Sequence, residues 1–231
     1  MAIFAISDLH LPLGVNKPMD VFGPKWSNYV ERLRDNWQKI VSEDDIVIMP
    51  GDISWATYLE DSVKDFEYIN SLNGRKVILK GNHDFWWSTM NKLREFLAEH
   101  SFDTIEFIHN TAVMYGDTAI CGTRGWNIAH ENSSDEDKKI FLREKQRMIL
   151  SLEEAKKKGA KRIIAAMHYP PVERGGDNFD FINIFKEYGV RKCIYGHLHA
   201  AAQSYAVQGD VMGVDLALVS CDYLKFVPKL I

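Results

Sequence analysis

Five times along this chain a short apolar run stops at a cluster of Asp, Asn or His. Ile3–Ile6 leads into Asp8-Leu9-His10, Ile46–Met49 into Gly51-Asp52, and Lys76–Leu79 into Gly81-Asn82-His83-Asp84. Ile163–Met167 then leads into His168, and Arg191–Tyr195 into Gly196-His197-Leu198-His199. The runs are short and rich in Ile and Val, the pattern of strands buried on both faces. Open α/β sheets place ligands beyond the carboxyl ends of their strands, so five such ends can converge on one crevice.

Amphipathic stretches near Asn28–Val41, Leu59–Leu72 and Ser88–Glu99 separate the first strands. Strand-helix alternation predicts a parallel sheet with right-handed crossovers. The middle of the chain differs: Ile105–His109, Ala112–Tyr115 and Thr118–Gly122 are closely spaced strands, with a hairpin turn at Gly116-Asp117. Asp135 to Lys158 reads as one long surface helix stopped by Gly159. A helix near Phe179–Tyr188 and strands near Arg191–Tyr195, Ala202–Val207 and Leu216–Ser220 complete the pattern. With no repeat and no linker, residues 1–231 are expected to form a single domain of the α/β class, two sheets packed face to face and covered by helices.

Composition narrows the function classes. An apolar share of 46% supports a sizeable core, and no stretch approaches the roughly 20 apolar residues of a membrane span. The net charge of −4 gives no basic footprint for nucleic acid. Cys121, Cys193 and Cys221 are odd in number and lack a CxxC pair, as expected of reduced, buried cysteines in a cytoplasmic protein. Met1–Ile6 is too short for a signal peptide and runs directly into the Asp8 cluster.

The clusters also have the right spacing for metal ions. In extended chain, residues i and i+2 point the same way, so Asp8 with His10, and His197 with His199, can each grip one ion. Gly51, Gly81 and Gly196 let backbone turn or pass close to the site. Asp8, His10, Asp52, Asn82, His168, His197 and His199 are seven donors without a thiolate. That is too many for one ion and suits two ions sharing a carboxylate, with Mn, Fe, Zn or Co better matched than Mg or Ca.

In this order the clusters resemble the calcineurin-like metallophosphoesterase family, whose pattern is DxH, GD, GNH(D/E), H and GHxH. The resemblance spans residues 8 to 199 and implies a β-sandwich flanked by helices. It implies that Asp8, His10 and His199 bind one metal, that Asp52 bridges, and that Asn82, His168 and His197 complete the second. His83 would stay off the metals and protonate the leaving group, oriented by Asp84. Two such ions acidify a shared water and supply hydroxide for in-line attack, and their charge would draw phosphate into the pocket of an acidic protein. Implied substrates are a phosphodiester, a nucleotide or a small phosphomonoester. A protein phosphatase is disfavoured because Gly51-Asp52-Ile53-Ser54-Trp55-Ala56-Thr57 lacks the arginine of GDxVDRG and Asp84 stands where Glu would. A non-catalytic, metal-binding scaffold is the alternative from another class, disfavoured by the retention of every donor together with His83.

Outside the clusters, Arg124 in Gly122-Thr123-Arg124-Gly125-Trp126 is a candidate substrate contact, a cationic fork between glycines; the alternative is a surface residue. Arg174-Gly175-Gly176 is a weaker candidate of the same kind. Trp55, Phe85, Trp86, Trp87 and Trp126 line a pocket or simply pack. His100, His109 and His130 read as structural or surface residues, and the lysine runs as solvated helix faces.

Overall fold

The computed structural model describes residues 1–231. Three of the five apolar runs, joined by the first of the closely spaced middle strands, form a parallel sheet in the order β1 (Ile3–Ala5), β2 (Ile46–Met49), β3 (Arg75–Ile78) and β4 (Ile105–Phe107). The helices α1 (Tyr29–Ile40), α2 (Val63–Ser71) and α3 (Met90–Glu99) connect them. The second sheet takes its strands from β5 (Ala112–Tyr115), β6 (Thr118–Thr123), β7 (Arg162–Met167), β8 (Lys192–Tyr195), β9 (Gly209–Val211) and β10 (Val214–Leu218). Its centre, β6-β7-β8-β10, is parallel, and the edge strands β5 and β9 are antiparallel. Helices α4 (Asp135–Lys157) and α5 (Asp180–Glu187) belong to this half, and β11 (Lys229–Leu230) returns to pair antiparallel with β1.

The sheets pack face to face. Ile46, Ile48, Val77 and Leu79 of the first share one apolar cluster with Ile120, Ala166, Ile194 and Ala217 of the second. Alternate residues face outward under the helices, so every residue of β2 is buried, which is why its sequence does not alternate. Helix α1 buries Tyr29, Leu33 and Trp37, one per turn on a single face. Helix α4 starts at Ser134, whose hydroxyl accepts from the Asp137 amide at 3.0 Å, and it buries Phe141, Met148, Leu152 and Ala155. Cys121, Cys193 and Cys221 are buried and free. No helix is long and apolar enough to cross a membrane.

The C-terminal third departs from expectation. Residues Ala200–Tyr205 form a 3-10 helix where a strand over Ala202–Val207 was expected. The segment buries none of its residues, so it has no apolar face to lay on a sheet. The edge is taken instead by β9, Gly-Asp-Val, which is a poor strand by composition. It pairs with β10 through a two-residue turn at Met212 and Gly213, both at positive φ. The Gly116-Asp117 hairpin forms as expected, with Tyr115 opposite Thr118.

Where the strands end, their loops are laced together. Ser7 bridges Ser220, Leu11 bridges Ser54, and the His168 amide donates to the Arg124 carbonyl at 3.1 Å. The Gly196 amide donates to the His168 carbonyl, also at 3.1 Å. These bonds join both sheets at one edge, where the Asp, Asn and His clusters meet.

Candidate metal centre

The site begins with four residues in the left-handed region. Asp8, His10, Asp52 and His197 have φ of 60°, 47°, 54° and 71°. A residue with a Cβ is held there at a cost of about 1 kcal/mol or more, offset by local bonds. The Asp8 amide donates to Gly51 at 2.9 Å, His10 to the Asp52 carbonyl at 3.0 Å, and His197 to the Asp8 carboxylate at 3.0 Å. This corrects the expectation of extended pairs. Strand β1 stops at Ala5, and Asp8 and His10 are aimed inward by turns rather than by strand alternation. The glycines act as expected: a Cβ on Gly81 would strike the Asp52 carboxylate, and one on Gly196 the Asp8 carboxylate and Ser7.

All seven predicted donors come together. Ligand atoms of Asp8, His10 and His199 lie within 4.8 Å of one another, as do those of Asp8, Asp52 and His168. On one side His199 Nε2 is 3.2 Å from Asp8 Oδ1 and 3.3 Å from His10 Nε2. On the other, Asn82 Oδ1 is 2.5 Å from His168 Nε2 and 2.9 Å from His197 Nδ1. Asp52 Oδ2 stands between, 3.7 Å from His10 Nε2 and 3.5 Å from His168 Nε2. Donors bound at about 2.1 Å in neighbouring positions around one ion lie about 3 Å apart, so the spacing of these side chains suits metal coordination.

The tautomers fit as well. His168 Nδ1 donates to the Pro50 carbonyl at 2.9 Å, leaving the Nε2 lone pair facing Asn82 and Asp52. His199 Nδ1 donates to Asp222 Oδ1 at 2.9 Å, leaving Nε2 toward Asp8. Such partners fix a ligating imidazole and raise its basicity. Burial drives His10 and His168 down to about 3, so both stay neutral and able to ligate. Burial opposes the Asp8 charge, but His199, His168 and His10 hold its carboxyl well below the usual range. His199 is pushed up to about 10: burial disfavours its charge, but Asp222 and Asp8 outweigh burial. The same carboxylates would welcome a metal ion in place of that proton.

His83 is arranged differently. Its backbone amide donates to Asp52 Oδ1 at 2.7 Å, while its ring lines a cavity of about 220 Å³ with His10, Trp26, Trp55 and Asp222. The His10 ring stacks on Trp55, centroids 4.6 Å apart, and His83 lies 5.0 Å from the same indole. Asp84 does not orient the His83 ring, contrary to expectation. It is fully buried, and its carboxylate accepts from the amides of Asp52, Ile53 and Gly81 at 2.7–2.9 Å and from Trp86 Nε1 at 3.0 Å. Asp84 is thus a clamp holding the loop after β2 to the loop after β3, and it positions Asp52 through the backbone.

Arg124 is neither a plain surface residue nor among the donors. Its guanidinium lies over Trp126, 4.6 Å from the ring centre, and 4.0 Å from Glu144. Trp126 packs on Tyr169, whose ring lies 4.2 Å from that of His197, so an aromatic wall leads to the metal centre. Arg174 donates to the Ser204 carbonyl at 2.7 Å.

A profile of the Calcineurin-like phosphoesterase family matches residues 1–201. The chain belongs to that family. This metallophosphoesterase is a metal-dependent hydrolase, and Asp8, His10, Asp52 and His168 are candidate metal-binding residues. No curated protein matches its sequence. Among solved structures, the phosphopantetheinyl hydrolase of Mycobacterium tuberculosis is similar at TM-score 0.57 and 12% identity, over 100% of this chain and 95% of that one. A protein of unknown function from Aquifex aeolicus is similar at 0.53 and 15%, over 99% and 95%. A Thermus thermophilus protein is similar at 0.54 and 14%, over 85% and 81%. At these identities the likeness is one of fold.

Asp222 was not anticipated from sequence. It stands beyond the family pattern, two residues after Ser220, where β10 has ended. The signal was present all the same: an apolar run, Leu216–Val219, that stops at a polar cluster like the other five.

Proposed function

We propose that this metallophosphoesterase hydrolyses a phosphodiester, a nucleotide or a small phosphomonoester with two metal ions, using His83 as general acid. The observation that carries the reading is the meeting of two donor sets at Asp52 Oδ2, with the His83 ring in the cavity beside them but outside both. Asp8, His10 and His199 would hold one ion, Asn82, His168 and His197 the other, with Asp52 between. Bound there, divalent ions supply Lewis acidity toward phosphoryl oxygens and an acidified water.

The chain's own residues do the rest. Asp84, Gly81 and Gly196 keep the loops close enough for the donors to converge. Trp26 and Trp55 give the cavity an apolar wall. Burial and then the His199 charge lower the His83 pKa, so the free ring is a ready proton donor but a weakly populated one. The negative charge of a bound phosphoester beside it favours the imidazolium, which then gives its proton to the departing oxygen.

Loss of this acid costs about 10²–10⁴-fold. His83→Ala should keep its metals by elemental analysis and lose turnover, least on nitrophenyl esters, whose leaving group needs no proton. In the wild type, kcat/KM should fall as pH rises through the His83 pKa, and the variant should lack that limb. Loss of metal in the variant would assign His83 to the donor set. Turnover of nitrophenyl mono- and diesters with Mn²⁺, abolished by chelator, separates an enzyme from a scaffold; absent or chelator-insensitive turnover on both would support the scaffold.

A further inference from the structure

A second polar cavity, of about 370 Å³, shares no lining residue with the metal centre. Lys80, Arg124, Arg143, Arg147 and His109 line it, together with Thr89 and Met90 at the start of α3. Beneath these four fixed cations lies one carboxylate, that of the fully buried Glu144. Its Oε1 is 2.7 Å from Arg147, 3.7 Å from Arg143 and 4.0 Å from Arg124, and its Oε2 accepts from Thr123 at 2.5 Å. One carboxylate neutralises one cation, which leaves a surplus of positive charge in a protein whose net charge is −4.

The surplus is not paired elsewhere. Arg124 Nε is buried without a hydrogen-bond partner. Half-buried Lys80 shares the cavity wall with Arg124 and Arg147. Burial and then Arg147 lower the His109 pKa, which leaves a neutral ring able to donate one hydrogen bond. Concave sites lined by one sign of charge focus the field and gather the opposite charge. Guanidinium forks match phosphate oxygens in pairs, and the first turn of a helix adds its own attraction for anions. The cavity is too small for a nucleic-acid duplex or a peptide surface and ample for one phosphate group.

We propose that this cavity is a binding site for a phosphate group distinct from the one at the metal centre. The group comes either from the non-reacting end of a substrate or from free phosphate, and the cavity chemistry is the same for both. The claim does not rest on hydrolysis, because binding can be read without turnover.

Titration calorimetry of the Mn²⁺-loaded protein with inorganic phosphate should show two classes of site. Chelator should remove one. Lys80→Met should weaken the other about tenfold, the worth of one charge-assisted contact, and Lys80→Arg should restore it. Lys80 has no ion-pair or hydrogen-bond partner of its own, so Tm without phosphate should hold or rise in Lys80→Met, which separates lost binding from lost folding. One chelator-sensitive class in the wild type, or an unchanged second class in Lys80→Met, overturns the proposal. The source is read from the ratio of KM for a nucleoside bisphosphate to KM for nitrophenyl phosphate. A ratio that rises in Lys80→Met assigns the cavity to the substrate's second phosphate, and an unchanged ratio with weakened phosphate binding assigns it to free phosphate.

Discussion

The metal centre and the basic cavity handle charge in opposite ways. In the metal centre four of the seven donors have a second partner, while His10 Nδ1 has none: Pro50 lies behind His168, Asp222 behind His199, the His83 amide on Asp52 and the His197 amide on Asp8. In the basic cavity three arginines share one carboxylate, Lys80 has no ion-pair partner, and Arg124 Nε has no hydrogen-bond partner. The first arrangement holds those donors by hydrogen bonds within the protein itself. The second gathers more positive charge than its one carboxylate can offset. Preorganisation of that first kind serves chemistry, while a looser excess of charge serves capture.

Breaking the fixed side should have the larger consequences. Asp52→Asn removes the oxygen between the two donor sets, and turnover should fall by about 10³-fold, the scale of several kcal/mol of lost transition-state stabilisation. Elemental analysis should show reduced metal, and retention of full metal content with full turnover would refute the shared role of Asp52. Next comes Asp84→Ala, which leaves four buried donors without an acceptor. Denaturant unfolding should show a loss of roughly 3 kcal/mol, while the His83 ring titrates in NMR as it does in the wild type. A shifted His83 titration with intact stability would restore the orienting role expected from sequence. The smallest effect belongs to Asp222→Asn, which keeps the shape but weakens the hold on His199. Metal affinity should drop about 10–100-fold, with stability little changed. An unaltered metal affinity would make Asp222 simply the partner of Lys25, which reaches it at 2.9 Å.

Read from sequence, the fold was legible where a strand is largely buried, because a run of mostly apolar residues without polar alternation signals that burial; β1, β2, β3, β7 and β8 each carry such a run. It was illegible at β9, since Gly209-Asp210-Val211 has no strand signal of its own and is ordered by a hairpin onto β10. The donors were legible because each ends such a run. Their second partners were not, because Asp222 reaches His199 across 23 positions and Pro50 reaches His168 across 118, and no local pattern encodes a meeting of that range.

The amino-acid sequence alone therefore determined the donor types, their number and the strand ends that carry them, since ligand chemistry and strand burial are both written in residue type. Tertiary structure decided how they are aimed. Left-handed turns rather than extended strand point Asp8, His10, Asp52 and His197 inward, and Asp84 turns out to clamp backbone instead of an imidazole. It also gathered Lys80, Arg124, Arg143 and Arg147 around one cavity from three separate segments. Direction and assembly depend on backbone torsion and on contacts between distant residues, and neither follows from residue type.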